Sequence, residues 1–293
     1  METSELIKKV RKIEIKTKGL TNQVFAGSYH SAFKGRGMSF SEVRNYNYGD
    51  DVRNIDWNVT ARYDEPFIKV YEEERELTVM LLIDVSKSSF FGTQSQFKNE
   101  YITEIAAILA FSAIRNNDKV GVIFFSNKIE KYIPAKKGKS HILRIIRELI
   151  EVKPTENGTN IALAMKYFNN TMKRSSIAFI ISDFMDKPEN YSDGLSIAKK
   201  KHDVIGLHIY DEREKKLSDS GLMQFVDSET GKAIWIDTSN KQVQEEYNKH
   251  FEECFEATKK GFHKKGADLL SISTSDNYTI ALKQMFNRRI QKK

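Results

Sequence analysis

The sequence predicts an α/β fold: a mainly parallel sheet with helices on both faces. Three observations carry that expectation. LTVMLLID (77–84), KVGVIFFS (119–126) and SIAFIISD (176–183) are apolar runs of strand length, as expected of strands covered on both sides. Segments of helical period separate them, the alternation that builds parallel sheets through helical crossovers. Two of the three runs end in aspartate, at the carboxyl edge where open α/β sheets place their working sites.

Taken in order, residues 1–75 read as an irregular N-terminal segment packed on a main domain of 76–293. The segment carries the Gly-rich AFKGRGMSF and the polar NYNYGDDVRNIDWNVTARYDEP. LTVMLLID opens the main domain. KNEYITEIAAILAFSAIRNN sets Tyr101, Ile105, Ile108, Leu109 and Ser112 at helical spacing before a polar stop. KVGVIFFS and KIEKYIPA are strands turned about Ser126-Asn127. HILRIIRELIEV puts Ile142, Ile145, Ile146 and Leu149 on one helical face, and IALAMKYFNNTM is helical again. After SIAFIISD come a helix over DGLSIAKKK, a strand over DVIGLHIYD and a hairpin over QFVDSETGKAIWID turned at Thr230-Gly231. The long helix QVQEEYNKHFEECFEATKKGF presents Val243, Tyr247, Phe251 and Phe255 on its apolar side. ADLLSIS and a C-terminal helix close the chain.

Composition bounds the function. At 293 residues, 40% hydrophobic and 30% charged, the chain can fill a core and is not of the disordered class. No window of about eighteen uncharged apolar residues predicts a membrane span. METSELIKKVRKIEIKTKGL is too charged for the apolar core of a signal peptide. The single cysteine, Cys254, excludes an internal disulfide and a multi-cysteine zinc site, in keeping with the cytoplasm. Forty acidic residues interleave with 47 basic ones, so the net charge of +7 reads as a mildly cationic surface. The GRG at 35–37 and the RRIQKK tail have no stacking platform of aromatics beside them, and nucleic acid is not an expected partner.

The candidate site begins at LTVMLLIDVSKSSFFG. Past the strand, Asp84, Ser86 and Ser88 stand at every second position. Asp183 ends another apolar strand, and Thr159 stands in a Gly-containing loop before a helix. If the two strands are neighbours, five oxygen-bearing side chains converge: Asp84, Ser86, Ser88, Thr159 and Asp183. Two carboxylates with neutral hydroxyls suit a hard octahedral cation, Mg2+ or Mn2+, and leave it electrophilic enough to accept an outside carboxylate. The plainer reading has the serines capping the next turn and Asp183 a helix start.

DVSKS with Thr159 and Asp183 resembles the metal-ion-dependent adhesion site of von Willebrand factor A domains, D-x-S-x-S…T…D, with all five positions filled. The resemblance implies that Ser86, Ser88 and Thr159 lie nearest the metal and that Asp84 and Asp183 act directly or through water. The stretch from Phe33 to Ser88, with GDDVRNIDW, resembles the bacterial family called domain of unknown function 58, and the likeness extends over about residues 25–275. Members join such a segment to a von Willebrand A-like domain and accompany MoxR-type AAA+ ATPases. The implied role is a non-catalytic adaptor or co-chaperone of that ATPase, binding it or its client through the metal. Many relatives carry membrane helices ahead of this segment; here a soluble, cytoplasmic form is expected. Ser89 departs from the family, which often has methionine there.

The upstream charges Asp50, Asp51, Arg53, Asp56, Arg62, Glu73, Glu74 and Arg75 read as an ion-pair network tying the segment to the sheet, with a partner-docking surface as the alternative. Trp57 and Trp235 are expected to be packed, Cys254 and His208 to be core residues. SELIKKVRKI is a basic amphipathic stretch expected to pack on its own domain rather than on a membrane surface. GKS at 138–140 fails as a phosphate loop, because Ile133 stands where the motif needs glycine; Lys136, Lys137 and Lys139 then read as a solvated cluster. The rival activity is a Mg2+-dependent phosphoryl hydrolase, which normally needs a second carboxylate two residues after its nucleophile. That position is Ser86.

Overall fold

The computed structural model describes residues 3–20, 29, 32–33, 38–73, 76–90, 97–152, 154, 158–226 and 233–291. Two compact units divide the chain: Phe33–Leu77 form one, and Met1–Ala32 with Thr78–Lys293 form the other. The N-terminal helix α1 (Thr3–Leu20) belongs to the unit that holds the sheet. It packs on its own domain: Leu6 is buried, and Lys16 and Glu14 pair with Glu104 and Lys139 at 2.6 and 2.5 Å.

The smaller unit holds more regular structure than its composition advertises. β1 (Met38–Asn45) and β2 (Phe67–Glu73) pair antiparallel, with α2 (Trp57–Tyr63) between them. The charged motif serves its local backbone. Asp50 holds Arg44 through two bonds, at 2.8 and 2.9 Å, and accepts the Asn47 N–H. Asp51 caps a 3-10 turn, and Asp56 caps α2 while pairing with Lys69 at 3.5 Å. Among the described residues these pairs close within the unit. Arg62 is exposed and outside them; Glu74 and Arg75 lie outside the described residues.

The larger unit continues with β3 (Thr78–Asp84), α3 (Lys98–Arg115), β4 (Lys119–Phe125), β5 (Ile129–Lys136), α4 (Lys139–Glu151) and α5 (Ile161–Thr171). Then follow β6 (Ile177–Ser182), α6 (Pro188–Lys201), β7 (Asp203–Tyr210), α7 (Glu212–Lys215), the hairpin β8 (Leu222–Val226) and β9 (Ala233–Asp237), α8 (Lys241–Lys264), β10 (Asp268–Ser273) and α9 (Tyr278–Gln291). The sheet order is β10-β7-β6-β3-β4-β5, parallel except for β5 at one edge. The turn expected at Thr230-Gly231 lies outside the described residues.

β3 is central and apolar because both its faces are covered. Met80 and Leu82 join Ile123, Ala178 and Ile180 against α5, α6 and α8, through Met165, Phe168, Tyr191 and Phe262. Val79, Leu81 and Ile83 alternate to the opposite face, toward α3, and are fully buried as well. Each such side chain removed from water contributes roughly 1.5–3 kcal/mol. Gly206 in β7 marks one close approach. A Cβ there would stand 2.6 Å from Leu269 Cδ1 and 2.7 Å from Phe262 Cε1. Gly206→Ala is therefore expected to lower stability by about 1–3 kcal/mol, read as a shift in urea midpoint; an unchanged midpoint would show that the two neighbours yield freely.

Three expectations are corrected. Trp57 and Trp235 are 70% and 65% exposed, because one opens a two-turn helix and the other lies on a two-stranded hairpin without a covering layer. Cys254 is half-buried, with Sγ 3.7 Å from His250 Nε2, because α8 turns only part of its circumference to the sheet. Tyr247 on the same helix is 36% exposed, although Phe251 is buried. Lys139 pairs with Glu14 yet stays exposed, as expected of a solvated cluster. His208 is a core residue as expected: its Nδ1 lies 2.6 Å from Ser271 Oγ, and burial pushes its pKa down to about 4.

Candidate metal centre

β3 and β6 are hydrogen-bonded neighbours, so Asp84 and Asp183 reach the same carboxyl rim. Asp84 is the last residue of β3. Val85 N–H still bonds to Phe125 O across to β4, and the chain then turns through a short 3-10 segment, Lys87–Phe90, which carries Ser88. After β6 the backbone kinks at Phe184, whose φ of 50° is in the left-handed region uncommon for an aromatic residue. Ser182 Oγ braces the kink: it accepts the Phe184 N–H at 3.1 Å and donates to Asp84 Oδ2 at 2.7 Å.

The structure joins four of the five expected residues. Asp84 Oδ1 accepts the Ser86 N–H at 2.9 Å, and the Ser86 and Ser88 hydroxyls lie 2.9 Å apart. Ser88 donates to Asp183. Thr159 stands in the loop before α5, next to Asn160, whose N–H bonds to Ser126 O just past β4. It thus reaches the same rim, but among the described residues no hydrogen bond links it to the other four.

Burial makes this pair of carboxylates electrostatically costly. Asp84 and Asp183 are 1% and 8% exposed. Burial and then the charge of Asp183 push Asp84 up to about 6, against the hydrogen bonds from Ser86 and Ser182. Burial works the same way on Asp183, but Lys98 and Ser88 outweigh it and hold the carboxyl below its ordinary value. The first proton taken up by the pair therefore belongs to Asp84.

Lys98, Ser182 and Glu214 are members of the site that the sequence pattern did not reveal. Lys98 opens α3 and is 1% exposed. Its ammonium lies 2.6 Å from Glu214 Oε1 and 3.2 Å from Asp183 Oδ2. Burial would lower its pKa, but the two carboxylates reverse that and hold it above the ordinary value. Glu214 Oε2 accepts the Asp211 N–H at 2.8 Å in a capping box. Lys98 and Glu214 are 116 residues apart, which is why no local motif announces them.

The donor set fits a hard divalent ion. Octahedral magnesium at about 2.0–2.1 Å from oxygen sets adjacent ligands about 2.9 Å apart. Ser86 Oγ and Ser88 Oγ already have that separation. When bound, the ion would supply Lewis acidity at the rim; Ser86, Ser88, Asp84 and Asp183 are the residues to hold it. Among the described residues no group of three or more His, Cys, Asp or Glu is placed to hold a metal, so the candidate centre depends on hydroxyls beside its two carboxylates.

Comparison with known proteins gives the chain its relatives. The chain is 28% identical over 233 residues to "Uncharacterized protein Rv1480" of Mycobacterium tuberculosis, which covers 79% of this chain and 73% of that protein. Similar solved structures include BatB from Bacteroides thetaiotaomicron, at 17% identity and a TM-score of 0.49, covering 74% of this chain and 100% of that one. The SpRpn10 VWA domain is another, at 13% identity and a TM-score of 0.39, covering 71% of this chain and 95% of that one. The fold assignment rests on the chain's own strand order, independently of these likenesses. The family described as "Protein of unknown function DUF58" matches residues 42–256. The chain belongs to that family, and its larger unit is an α/β domain built on a mainly parallel sheet.

Proposed function

We propose that this protein is a cytoplasmic, non-catalytic interaction module that holds Mg2+ or Mn2+ through Asp84, Ser86, Ser88, Thr159 and Asp183 and offers the ion to an acidic residue of a partner. The observation that carries the reading is the convergence of two buried carboxylates and two hydroxyls 2.9 Å apart at the carboxyl rim of a parallel sheet. With neutral hydroxyls supplying much of the shell, the ion keeps affinity for one more carboxylate. The partner that fits the family resemblance is a MoxR-type AAA+ ATPase or its client, with this protein as adaptor or co-chaperone. A hydrolase reading draws less support: two residues past Asp84 stands the buried hydroxyl of Ser86, which cannot exchange a proton near neutral pH as a carboxyl does. Among the described residues no helix is long and apolar enough to cross a membrane.

The test is a thermal melt of chelator-stripped protein across a magnesium and manganese titration, beside Asp84→Ala and Asp183→Ala. Wild type is expected to gain about 2.7 kcal/mol at a hundredfold excess over the dissociation constant, and the variants nothing. Capture of the ATPase should require the metal and fail with both variants. Equal capture by wild type and both variants at saturating magnesium would refute the metal bridge. Release of phosphate from a generic ester, lost in Asp84→Asn, would favour the hydrolase.

A further inference from the structure

Lys98 is an unusual lodger. A buried cation at the first position of an 18-residue helix opposes the helix dipole, and this one has no exposure to offset the cost. What holds it is a pair of carboxylates 85 and 116 residues further along the chain. The two contacts are unequal: 2.6 Å to Glu214 and 3.2 Å to Asp183. Glu214 is a fixed seat, since its other oxygen is held by the Asp211 backbone, and Asp211 in turn accepts from Thr274 at 2.9 Å. Asp183 is the looser partner, and it is also the carboxylate that Ser88 ties to the metal site.

We propose that Lys98 is a tethered cation that competes with the divalent metal for Asp183, and that Glu214 is the seat to which its ammonium withdraws when metal enters. This rests on the reading of the rim as a metal centre, and it names the residues that set the centre's affinity. Three ionised carboxylates, Asp84, Asp183 and Glu214, against one ammonium leave two negative charges, the complement of one divalent ion. Without metal, Lys98 bridges Asp183 and Glu214. With metal, the longer contact is given up and the shorter one kept. Glu214 lies in the connection that leaves the sheet after β7, so that connection, outside the five-residue motif, governs how readily the site loads.

The experiment is calorimetric titration of the chelator-stripped full chain with MgCl2 and MnCl2, for wild type, Lys98→Met, Glu214→Gln and the double variant. Lys98→Met is expected to bind metal at least tenfold more tightly than wild type. Glu214→Gln should bind at least tenfold more weakly, because the ammonium then has only Asp183 to hold. In the Lys98→Met background, Glu214→Gln should change affinity less than threefold, since the seat has lost its occupant. Equal effects of Glu214→Gln in both backgrounds would overturn the exchange, as would a Lys98→Met protein no tighter than wild type. Should Lys98→Met fail to fold without metal, Glu214→Gln alone decides, and an unchanged affinity refutes the proposal. Wild-type binding that Asp84→Ala abolishes, with Lys98→Met unchanged, removes the competition and keeps the metal centre. No binding by either wild type or Lys98→Met removes both.

Discussion

Arg289→Met is expected to lower folding stability by about 3 kcal/mol while leaving metal affinity unchanged. Arg289 lies near the end of α9 and is buried, and its guanidinium grips Asp203 at the start of β7 and Asp268 at the start of β10. It thereby pins the C-terminal helix across two adjacent parallel strands, at the rim opposite Asp84 and Asp183. Methionine keeps much of the apolar stem but withdraws the guanidinium from buried Asp203, which keeps Lys199 at 3.2 Å. Asp268 is one-third exposed and finds water more easily. The cost is thus a desolvated carboxylate that has lost its strongest counter-charge, and Asp203→Asn in the Arg289→Met background should recover part of it. Guanidinium unfolding checks both; a loss below about 1 kcal/mol for Arg289→Met would mean that the pair only breaks even against water.

Asp84→Asn should move stability the other way in stripped protein. The folded carboxyl holds its proton to about pH 6, whereas its ordinary value is 3.8. A group raised on folding contributes stability that is complete below the lower value and is lost as pH rises through the upper one. Asparagine stands for the protonated form at every pH. The variant should therefore match wild type near pH 3 and exceed it by at most about 3 kcal/mol at pH 8, the most that a rise from 3.8 to about 6 allows. Saturating magnesium should reverse the order, because wild type then gains the ligand's stabilisation and the variant has lost a donor. A stripped Asp84→Asn protein less stable than wild type at pH 8 would show that Asp84 is held as an anion by its hydrogen bonds, more strongly than Asp183 and burial disfavour it.

The sheet was legible because its strands are buried on both faces and so are written in uninterrupted apolar letters; β3, β4, β6 and β7 all fall where such runs predict. α3 and α4 were legible through 3.6-residue spacing that matches their buried residues, Ile105 and Leu109 in one, Ile142, Ile146 and Leu149 in the other. The pairing of β1 with β2 was hidden for a definite reason. Its register slips between Phe40 and Glu42, so Met38, Phe40 and Val43 break the two-residue alternation by which a strand is recognised. The exposed tryptophans were misread because bulk alone does not say whether a covering layer exists. In the site, Asp84, Ser86, Ser88 and Asp183 announced themselves by position after strands. Lys98, Ser182 and Glu214 did not, since an ammonium opening a helix and a glutamate in a four-residue helix look like solvated charges until the strand order brings them together.

That strand order also fixes a sequence of events on the ribosome. Within the six-stranded sheet the first three strands made, β3, β4 and β5, occupy one half, and β6, β7 and β10 then extend it from the open side of β3 in the order of their synthesis. Until residues 177–182 emerge, β3 presents an unpaired backbone edge flanked by Val79, Leu81 and Ile83, the kind of surface that templates unwanted pairing in nascent chains. Asp183 follows directly behind the strand that seals this edge. Closure of the vulnerable edge and completion of the carboxylate pair are thus one step in the biogenesis of the chain, and the two carboxylates can meet only after its most adhesive edge has been covered.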